Sequence, residues 1–573
     1  MAKSEWYKNM SVYQIWPRSF CDGNGDGIGD LWGVLDKLDY IKSLNVDAIW
    51  FSPLFPSPNA DYGNLQVFRQ VLDGAHARGM KVFMDLVVNH TSDEHKWFIE
   101  GRKDKNSPYH DYYYWRKGKR TRSGRRLPPN NWSSVFEGGA WEYDASLDEY
   151  YLHVFAKKQP DLNMANPRVR EEVKNILRFW LDLGVDGFRE DVITFIAKDE
   201  GLPSSYPPLP VANGYRHYAN RPKAHEYLRE FKRDVLDFYD CFTVGESPMT
   251  TPDVALRYID EGGDKVLDEM IAFSHMEADC FMLDMLQLPF NLVKMKRAFS
   301  EWQTKLQGRA WNALYIENHD HPRIISRYGS EEYRTESGKM LAAMYILQRG
   351  TPFIYQGQEI GMLNTNLTEL GMYKDVMAQN NIEVATRFMP RSTAMKLLAR
   401  SSRDNARTPF QWTDGKNAGF SEGTPWFFVN ENYKDINAAQ QEDDPNSLLN
   451  FYRAILKFKK ETPVAVWGDY KEYFPKDKNF YVYAREYEGK RLLVICSFTR
   501  KSLRFEAPEE FDLYAGQVVF SNYESNFVIM NGFTSRPYEM RVYYFEYCSL
   551  CWGFCGRSFG SRPLDGCSTV LVC

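Results

Sequence analysis

Three acidic residues each follow an apolar run, at the point where a buried strand would leave the core: Asp191, Glu246 and Asp320. Two carboxyl groups that flank a glycosidic bond can cleave it, one as nucleophile and the other as proton donor. The run before Glu246 is wholly apolar, so burial should raise the pKa of its carboxyl group and keep it protonated, as a proton donor requires. The three acids therefore predict a site that cleaves glycosidic bonds.

A basic residue accompanies the first of these acids. Arg189 stands two residues before Asp191, and the period-2 alternation of a strand points both side chains to one face. A guanidinium group beside a carboxylate favours its ionised form, which a nucleophile needs. A surface ion pair at the end of a strand would produce the same local pattern.

Two histidines also follow apolar runs, and both stand beside other polar residues. His90 and His319 can donate hydrogen bonds to sugar hydroxyl groups, although a histidine at a strand end is commonly structural. No Ser/His/Asp nucleophile elbow, P-loop, dinucleotide-binding glycine motif or H-E-x-x-H element competes with a sugar-cleaving interpretation.

Residues 22–30 alternate oxygen-bearing side chains with glycines, at Asp22, Asn24, Asp26 and Asp30. Such a spacing can wrap a hard cation with oxygen ligands, while the glycines supply tight turns. A Gly/Asp turn without an ion is the alternative. The loop lacks the twelve-residue spacing that ends in Glu, so it is not an EF-hand.

Apolar strands alternate with helices along most of the chain. The predicted strands lie at 12–16, 46–51, 80–88, 185–188, 241–244, 312–316 and 351–355. Five of them end in polar, ionisable residues, as the strands of a barrel do when its active site lies on one rim. The predicted fold class is α/β: a (β/α)8 TIM barrel with an inserted subdomain after strand 3 and a C-terminal antiparallel β domain.

Breaks in this rhythm predict the domain boundaries. The barrel is assigned to residues 1–91 and 167–463, and the aromatic-rich stretch 92–166 to the inserted subdomain. Short alternating strands place the C-terminal β domain at 464–547. Residues 364–425 form a long polar connection after the last barrel strand, and such loops are usually functional.

Composition narrows the possible partners. The net charge is −5, and the basic stretch 117–126 is too local to predict nucleic-acid binding. The sequence contains no run of 18 apolar residues, so no membrane span is predicted. The polar first ten residues lack a signal-peptide core, and four scattered cysteines fit reduced thiols. A cytoplasmic protein is expected.

Five of the nine cysteines lie in the tail, residues 548–573. A cysteine-only zinc site is conceivable there, but the spacings to Cys567 and Cys573 are irregular. A disordered or non-native extension is the favoured interpretation of this tail.

Six short motifs, in order, resemble those of the α-amylase superfamily (glycoside hydrolase family 13), and more narrowly its oligo-1,6-glucosidase/α-glucosidase branch. They are Asp85-Leu-Val-Val-Asn-His90, Gln159-Pro-Asp-Leu-Asn163, Gly187-Phe-Arg-Glu-Asp-Val192, Thr243-Val-Gly-Glu246, Glu317-Asn-His-Asp320 and Gln356-Gly-Gln-Glu359. The resemblance extends over roughly residues 6 to 547.

The resemblance implies a role for each candidate residue. Asp191 would be the nucleophile, Glu246 the acid/base and Asp320 the stabiliser of the transition state, with Asp85 supporting Arg189. The implied sugar ligands at the cleaved bond are Asp61, His90, Arg189, His319 and Arg407.

The resemblance also bears on the metal loop and on linkage preference. The family's metal, usually calcium, would be held by Asp22, Asn24, Asp26, the carbonyl group of Ile28, and Asp30. Val192, directly after the implied nucleophile, resembles branch members that prefer α-1,6 bonds, whereas a smaller or polar residue there accompanies α-1,4 preference.

One segment departs from the family pattern. After Gly63 the family continues with Tyr-Asp and a further loop, but this chain passes directly to Asn64 and a helix. The missing part of the second βα loop includes a Tyr that stacks on the sugar. We expect the barrel to close while the pocket lacks one wall, which would lower the rate because positioning supplies much of catalysis.

These observations together predict a retaining, exo-acting α-glucosidase for short α-glucosides, with a small oligosaccharide as its substrate and α-1,6 preference. A non-catalytic relative that serves as an interaction domain is one alternative, which the intact set of three acids disfavours. A sucrose- or trehalose-type glucosyl isomerase is the other, because transfer to a sugar uses the same carboxylates. The oligomeric state is left open.

Overall fold

The structure is a computed structural model that describes residues 5–54, 62–136, 138–209, 212–281, 286–365, 367–524 and 526–546. Asp61, part of the second βα loop that is predicted to be shortened, and the cysteine-rich tail all lie outside the described residues.

Eight parallel strands form a sheet that is nearly closed into a barrel. Their order around the sheet is β6-β5-β4-β3-β2-β1-β8-β7, and the edge strands β6 and β7 contact each other. The strands are β1 (Val12–Ile15), β2 (Ala48–Phe51), β3 (Lys81–Leu86), β4 (Gly187–Glu190), β5 (Phe242–Glu246), β6 (Glu269–Ile271), β7 (Ala313–Leu314) and β8 (Thr351–Tyr355). The predicted barrel is confirmed.

Helices follow the barrel strands and cover the sheet. In the described part of the chain they are α1 (Leu31–Asp36), α2 (Leu38–Ser43), α3 (Leu65–Ala77), α4 (Lys96–Lys103), α5 (Pro167–Leu183), α6 (Pro222–Asp234), α7 (Pro252–Ile259), α8 (Leu292–Leu306), α9 (Ile324–Tyr328), α10 (Arg334–Ile346), α11 (Val376–Ala385), α12 (Arg391–Ser401), α13 (Ala438–Glu442), α14 (Leu448–Glu461) and α15 (Pro463–Trp467). No helix of the described residues is long and apolar enough to cross a membrane.

Helix α5 leads into β4 and shows why the local sequence sets these bounds. The Asn166 side chain accepts a hydrogen bond from the Arg168 backbone N–H and caps the first turn. Pro167, the first residue of that turn, has no N–H group that would need an acceptor. Gly184 ends the helix with φ 109°, a left-handed conformation that glycine adopts without steric cost.

The segment between β3 and α5 carries its own small sheet. Strands Trp115–Arg116, Glu149–Leu152 and Trp141–Asp144 pair in that order, and a second hairpin joins Lys119–Arg120 to Arg126–Leu127. Its aromatic core packs against residues that follow β4, including Phe195 and Tyr218. The inserted segment is therefore anchored over the rim of the barrel.

The C-terminal region is antiparallel. A five-stranded sheet has the order β9-β10-β11-β15-β13, and β12 pairs with β14. These strands are β9 (Asp469–Tyr473), β10 (Phe480–Tyr487), β11 (Lys490–Ser497), β12 (Leu503–Glu506), β13 (Gln517–Ser521), β14 (Gly532–Ser535) and β15 (Met540–Glu546).

Strand β6 was not predicted because it begins with an acidic residue, Glu269. Glu269 is fully buried in the barrel, where one carboxyl oxygen accepts a hydrogen bond from the Thr351 hydroxyl at 2.5 Å. Burial raises the pKa of Glu269 well above its ordinary value, which favours the neutral form of this side chain in the core. An apolar-run criterion cannot recognise such a strand.

Two further differences concern the rim. Strands β4 and β5 run through Glu190 and Glu246, so these acids belong to the sheet rather than to the loops after it. The connection after β8, expected as a long loop, contains α11 and α12.

Candidate active site

Arg189 lies at the centre of the charged groups on the rim. Its Nη1 donates to Asp85 Oδ1 and to Asp191 Oδ1, each at 2.6 Å, and its Nη2 donates to Glu246 Oε2. Arg189 is buried, and the three carboxylates keep its pKa well above the ordinary value despite that burial. A permanently charged guanidinium group thus bridges Asp191 and Glu246, which β4 and β5 bring to the same end of the barrel.

Glu246 has a different environment from Asp191. Its side chain is 9% exposed, whereas that of Asp191 is 22% exposed. Burial, reinforced by the nearby Asp191 and Asp320 and opposed by Arg189, raises the pKa of Glu246. The environment therefore favours the protonated form of this acid, as a proton donor requires.

Asp320 is surrounded by cationic and polar donors. His319 Nε2 lies 3.0 Å from Oδ2, while Arg403 Nη1 and Arg407 Nη2 donate to Oδ1 at 3.0 and 2.9 Å. Although burial alone would raise the pKa of Asp320, these neighbours hold it well below the ordinary value. Asp320 is therefore a fixed negative charge on the rim.

Arg403 was not predicted from the sequence, yet it binds the same carboxylate oxygen as Arg407. Both residues belong to the short 3-10 helix Arg403–Arg407, so they reach Asp320 from one element. Asp375 accepts two hydrogen bonds from Arg403, at 2.7 and 2.8 Å, and orients its guanidinium group. The spacing of the two arginines was the signal that could have identified Arg403.

Two tryptophans at the ends of β1 and β2 were also missed. The Trp16 ring lies 5.1 Å from the His319 ring, and the Arg407 guanidinium group lies 4.6 Å from the centre of the Trp16 ring. The Arg189 guanidinium group lies 5.3 Å from the centre of the Trp50 ring. Such cation–π contacts hold the guanidinium groups in place. An aromatic residue at the end of a barrel strand is the sequence signal they share.

A chain of contacts extends from Arg403 over the site. The Arg403 guanidinium lies 5.1 Å from the Phe136 ring of the inserted segment, and Phe136 contacts Phe155, whose ring lies 5.4 Å from that of His90. Asn380 of α11 donates to the Phe136 carbonyl group at 2.9 Å. The inserted segment and the connection after β8 therefore meet across the rim, which favours a pocket over an open groove.

His90 lies on this wall, close enough to Asp191 for the charge of that residue to act on its imidazole. It hydrogen-bonds with Gln159 across 2.9 Å through its Nε2. Burial, opposed by Asp191 and Asp161, lowers the pKa of His90, so the imidazole is held neutral. A neutral imidazole can donate a hydrogen bond to one sugar hydroxyl group and accept a hydrogen bond from another.

Val192 has an unusual backbone at this site. Its φ and ψ angles are 37° and 39°, in the left-handed region that a β-branched side chain rarely adopts. In this conformation its backbone N–H donates to Glu246 Oε2 at 3.2 Å. Strain of about 1–3 kcal/mol is typical of such positions, and here it accompanies a direct contact with the buried acid.

The residues of the predicted metal loop lie together, with their oxygens directed at the loop backbone. Asp22 and Asp30 both accept a hydrogen bond from the Asn24 N–H at 3.1 Å, and Asp26 accepts from the Ile28 N–H at 2.8 Å. The carboxylate oxygens of Asp22 and Asp30, with the side-chain oxygens of the exposed Asn24 and Asp26, are of the type that calcium prefers as ligands. Among the residues with described coordinates no three His, Cys, Asp or Glu side chains form a ready metal cluster, so calcium stays a prediction.

Comparison with known proteins identifies the family of this architecture. The model of the alpha amylase catalytic domain matches residues 14–468. The chain belongs to the α-amylase family. It is a glycoside hydrolase of that family, and numerous curated proteins are similar to it.

Three relatives show how far the similarity extends. The oligo-1,6-glucosidase of Parageobacillus thermoglucosidasius is 44% identical, with 94% of this chain and 98% of the relative aligned. The solved trehalose-6-phosphate hydrolase of Bacillus licheniformis is 40% identical with a TM-score of 0.87, over 94% of this chain and 100% of that one. The isomaltulose synthase of Klebsiella sp. LX3 is 36% identical with a TM-score of 0.89, over 94% and 99%.

Proposed function

We propose that this chain is a retaining, exo-acting α-glucosidase that hydrolyses short α-glucosides and prefers α-1,6 bonds. One observation carries the proposal: Arg189 bridges Asp191 and Glu246 on a single rim of the barrel. A retaining pair needs carboxyl groups about 5–5.5 Å apart, and two carboxylates that share one guanidinium group are compatible with that separation.

The different environments of the two acids suggest their roles. Asp191, hydrogen-bonded to Arg189, would attack the anomeric carbon and form a covalent glucosyl intermediate. Glu246 would protonate the leaving oxygen and then, once ionised, activate the water that releases glucose. Asp320 would stabilise the positive charge that develops on the sugar ring, since its own charge is fixed by Arg403 and Arg407.

The wall across the rim supports exo action. Arg403, Phe136 and Phe155 form a continuous run of contacts from Asp320 to His90. A pocket closed on this side would admit the terminal glucose unit of a chain rather than an internal one. His90, His319 and Arg407 would then hydrogen-bond its hydroxyl groups.

The preference for α-1,6 bonds rests on Val192. Val192 is buried at 7% exposure, and its backbone N–H donates to the carboxylate that would protonate the leaving group. An apolar side chain here would contact the part of the substrate beyond the cleaved bond. The similarity to an oligo-1,6-glucosidase supports the same preference.

A glucosyl isomerase is the second candidate, because an isomaltulose synthase shares the fold over nearly the whole chain. Such an enzyme passes the glucosyl group to a sugar instead of water, and the same three acids would serve both reactions. A phosphorylated α-glucoside is a further possible substrate, given the similarity to a trehalose-6-phosphate hydrolase.

Product analysis with a panel of substrates tests the proposal. The purified chain would be incubated with isomaltose, maltose, sucrose and trehalose 6-phosphate, beside the Asp191→Asn variant as control. We expect free glucose from isomaltose, with the rate falling by about four or more orders of magnitude in Asp191→Asn. Isomaltulose from sucrose without free glucose would identify an isomerase, and folded protein with no turnover above the control would refute a catalytic function.

A further inference from the structure

A fully buried lysine lies in the turn after β4, next to the site. Lys198 Nζ lies 2.6 Å from Asp161 Oδ2, and it donates to Asn89 Oδ1 at 2.8 Å and to the Phe195 carbonyl group at 2.9 Å. These three acceptors satisfy all three donors of the ammonium group. The sugar-binding roles proposed above do not use this lysine.

Its partner Asp161 belongs to the inserted segment and is likewise fully buried. The second carboxylate oxygen, Oδ1, accepts a hydrogen bond from the Val154 N–H at 2.8 Å. The ion pair therefore joins the inserted segment to the turn after β4, and Asn89 connects both to the end of β3.

Backbone pairing places His90 within the same connection. The Leu162 N–H donates to the Asn89 carbonyl group at 2.9 Å, and His90 and Asp161 form an antiparallel bridge. Any shift of Asp161 would thus be transmitted to His90 through the backbone. A buried ion pair is often no more stabilising than a well-packed apolar pair of equal volume, so stability alone gives no reason for charges at this position.

We propose that Asp161 and Lys198 are positioning residues, a buried ion pair that fixes His90 against Asp191 by clamping the inserted segment to the turn after β4. This inference rests on the proposed function, in which His90 binds the sugar at the cleaved bond. Neither member of the pair touches the substrate.

Variants of the pair test whether its role is geometric. Lys198→Met and Asp161→Asn should each lower kcat/KM for isomaltose about a hundredfold, the cost of a small misplacement at a reacting centre. The double variant Asp161→Asn/Lys198→Met removes both charges, so its Tm should lie above those of the single variants while its kcat/KM stays low.

Combination with His90→Ala separates positioning from general damage. If the pair acts through His90, adding Lys198→Met to His90→Ala should cause no further loss of kcat/KM, because interacting residues are not additive. The loss should appear in both KM and kcat, and we expect the same of His90→Ala itself.

A matched control is available elsewhere in the chain. Lys296 of α8 is also fully buried, and its Nζ donates to the carbonyl groups of Phe474 and Phe480 at 2.7 and 3.0 Å, next to the C-terminal sheet. Lys296→Met should lower Tm but leave kcat/KM within about threefold of wild type, since distant sites act independently.

The inference is overturned if Lys198→Met retains as much kcat/KM as Lys296→Met, or if its loss multiplies with that of His90→Ala. Asp161→Asn keeps the shape of the side chain and one of its two acceptor oxygens, so it provides the same comparison should Lys198→Met fail to fold. Full activity of His90→Ala would instead refute the sugar-binding role proposed for His90, and that result is visible without any variant of the pair.

Discussion

A single guanidinium group organises the charges of the site. Arg189 is bound by Asp85, Asp191 and Glu246 while being shielded from water. Several carboxylates could not remain close together in a buried region without such a counter-charge. Glu246 is less exposed than Asp191, and burial favours its protonated form, as the proposed role of proton donor requires.

The pH dependence of kcat/KM should reveal the buried acid. Burial raises the pKa of Glu246, so its protonated form persists above the pH at which an ordinary glutamate ionises. We expect activity to decline on the alkaline side only as Glu246 loses its proton. Glu246→Gln should lower kcat for isomaltose by about 10²–10⁴-fold and abolish this alkaline limb; an unchanged limb in the variant would assign it to another group.

Linkage preference should respond to the residue after Asp191. Val192→Thr replaces one methyl group by a hydroxyl group, with little change in volume, at the residue whose backbone N–H donates to Glu246. We expect the ratio of kcat/KM for isomaltose to that for maltose to fall about tenfold, within the range that one small group in a pocket can supply. Val192→Ile, which keeps the apolar character, serves as the control and should preserve the ratio.

At the scale of elements, the shortened second βα loop leads directly into a well-formed helix. The Asn64 side chain caps α3 by accepting hydrogen bonds from the Gln66 and Val67 N–H groups at 2.9 and 3.1 Å. Strands β2 and β3, which precede and follow this helix in the chain, pair in parallel register. The barrel sheet is therefore continuous here, as expected from the sequence, and we expect any cost of the missing segment to fall on the pocket.

Lengthening this loop tests that interpretation. Insertion of a Tyr-Asp segment with a further short loop between Gly63 and Asn64 should raise kcat/KM for isomaltose by about tenfold or more, because a stacked ring positions the sugar. An insertion of the same length made of Gly and Ser is the control and should give no gain. If both insertions behave alike, the missing Tyr does not limit the rate.

At the scale of the whole molecule, the metal loop connects distant parts of the barrel. Asp22 Oδ2 accepts a hydrogen bond from the Ser421 hydroxyl group at 2.5 Å. The backbone N–H of Trp426 donates to the Gly27 carbonyl group at 2.8 Å. The loop after β1 is thereby fixed to the connection after β8. A cation bound here would stabilise the contact between the beginning of the barrel and its last connection.

Calcium should therefore act on stability rather than on the chemical step. At a concentration a hundredfold above Kd, a ligand that binds only the folded state adds about 2.7 kcal/mol to the free energy of unfolding. We expect calcium to raise Tm by a few degrees and EDTA to reverse the increase. Asp26→Asn keeps the acceptor for the Ile28 N–H but removes a charge, so it should weaken the response; no change of Tm with calcium in wild type would refute the site.

The sequence alone determined the fold class and most of the acids. Apolar strands that end in ionisable residues are a local pattern, so the barrel and the places of Asp191, Glu246 and Asp320 followed from it. Strand β6 did not, because it begins with Glu269, whose buried carboxyl group accepts a hydrogen bond from Thr351, a partner 82 residues away. Such burial depends on what surrounds a residue in space.

Only the tertiary structure decided how the charged groups combine. Arg403 reaches Asp320 across 83 residues of chain, and Lys198 reaches Asp161 from another segment. The sequence gives each of these residues a charge but not a partner, since ion pairs form wherever folding brings opposite charges together in a medium of low dielectric constant. Residue types thus set the chemistry available to this protein, and the closure of the barrel set which groups could act together.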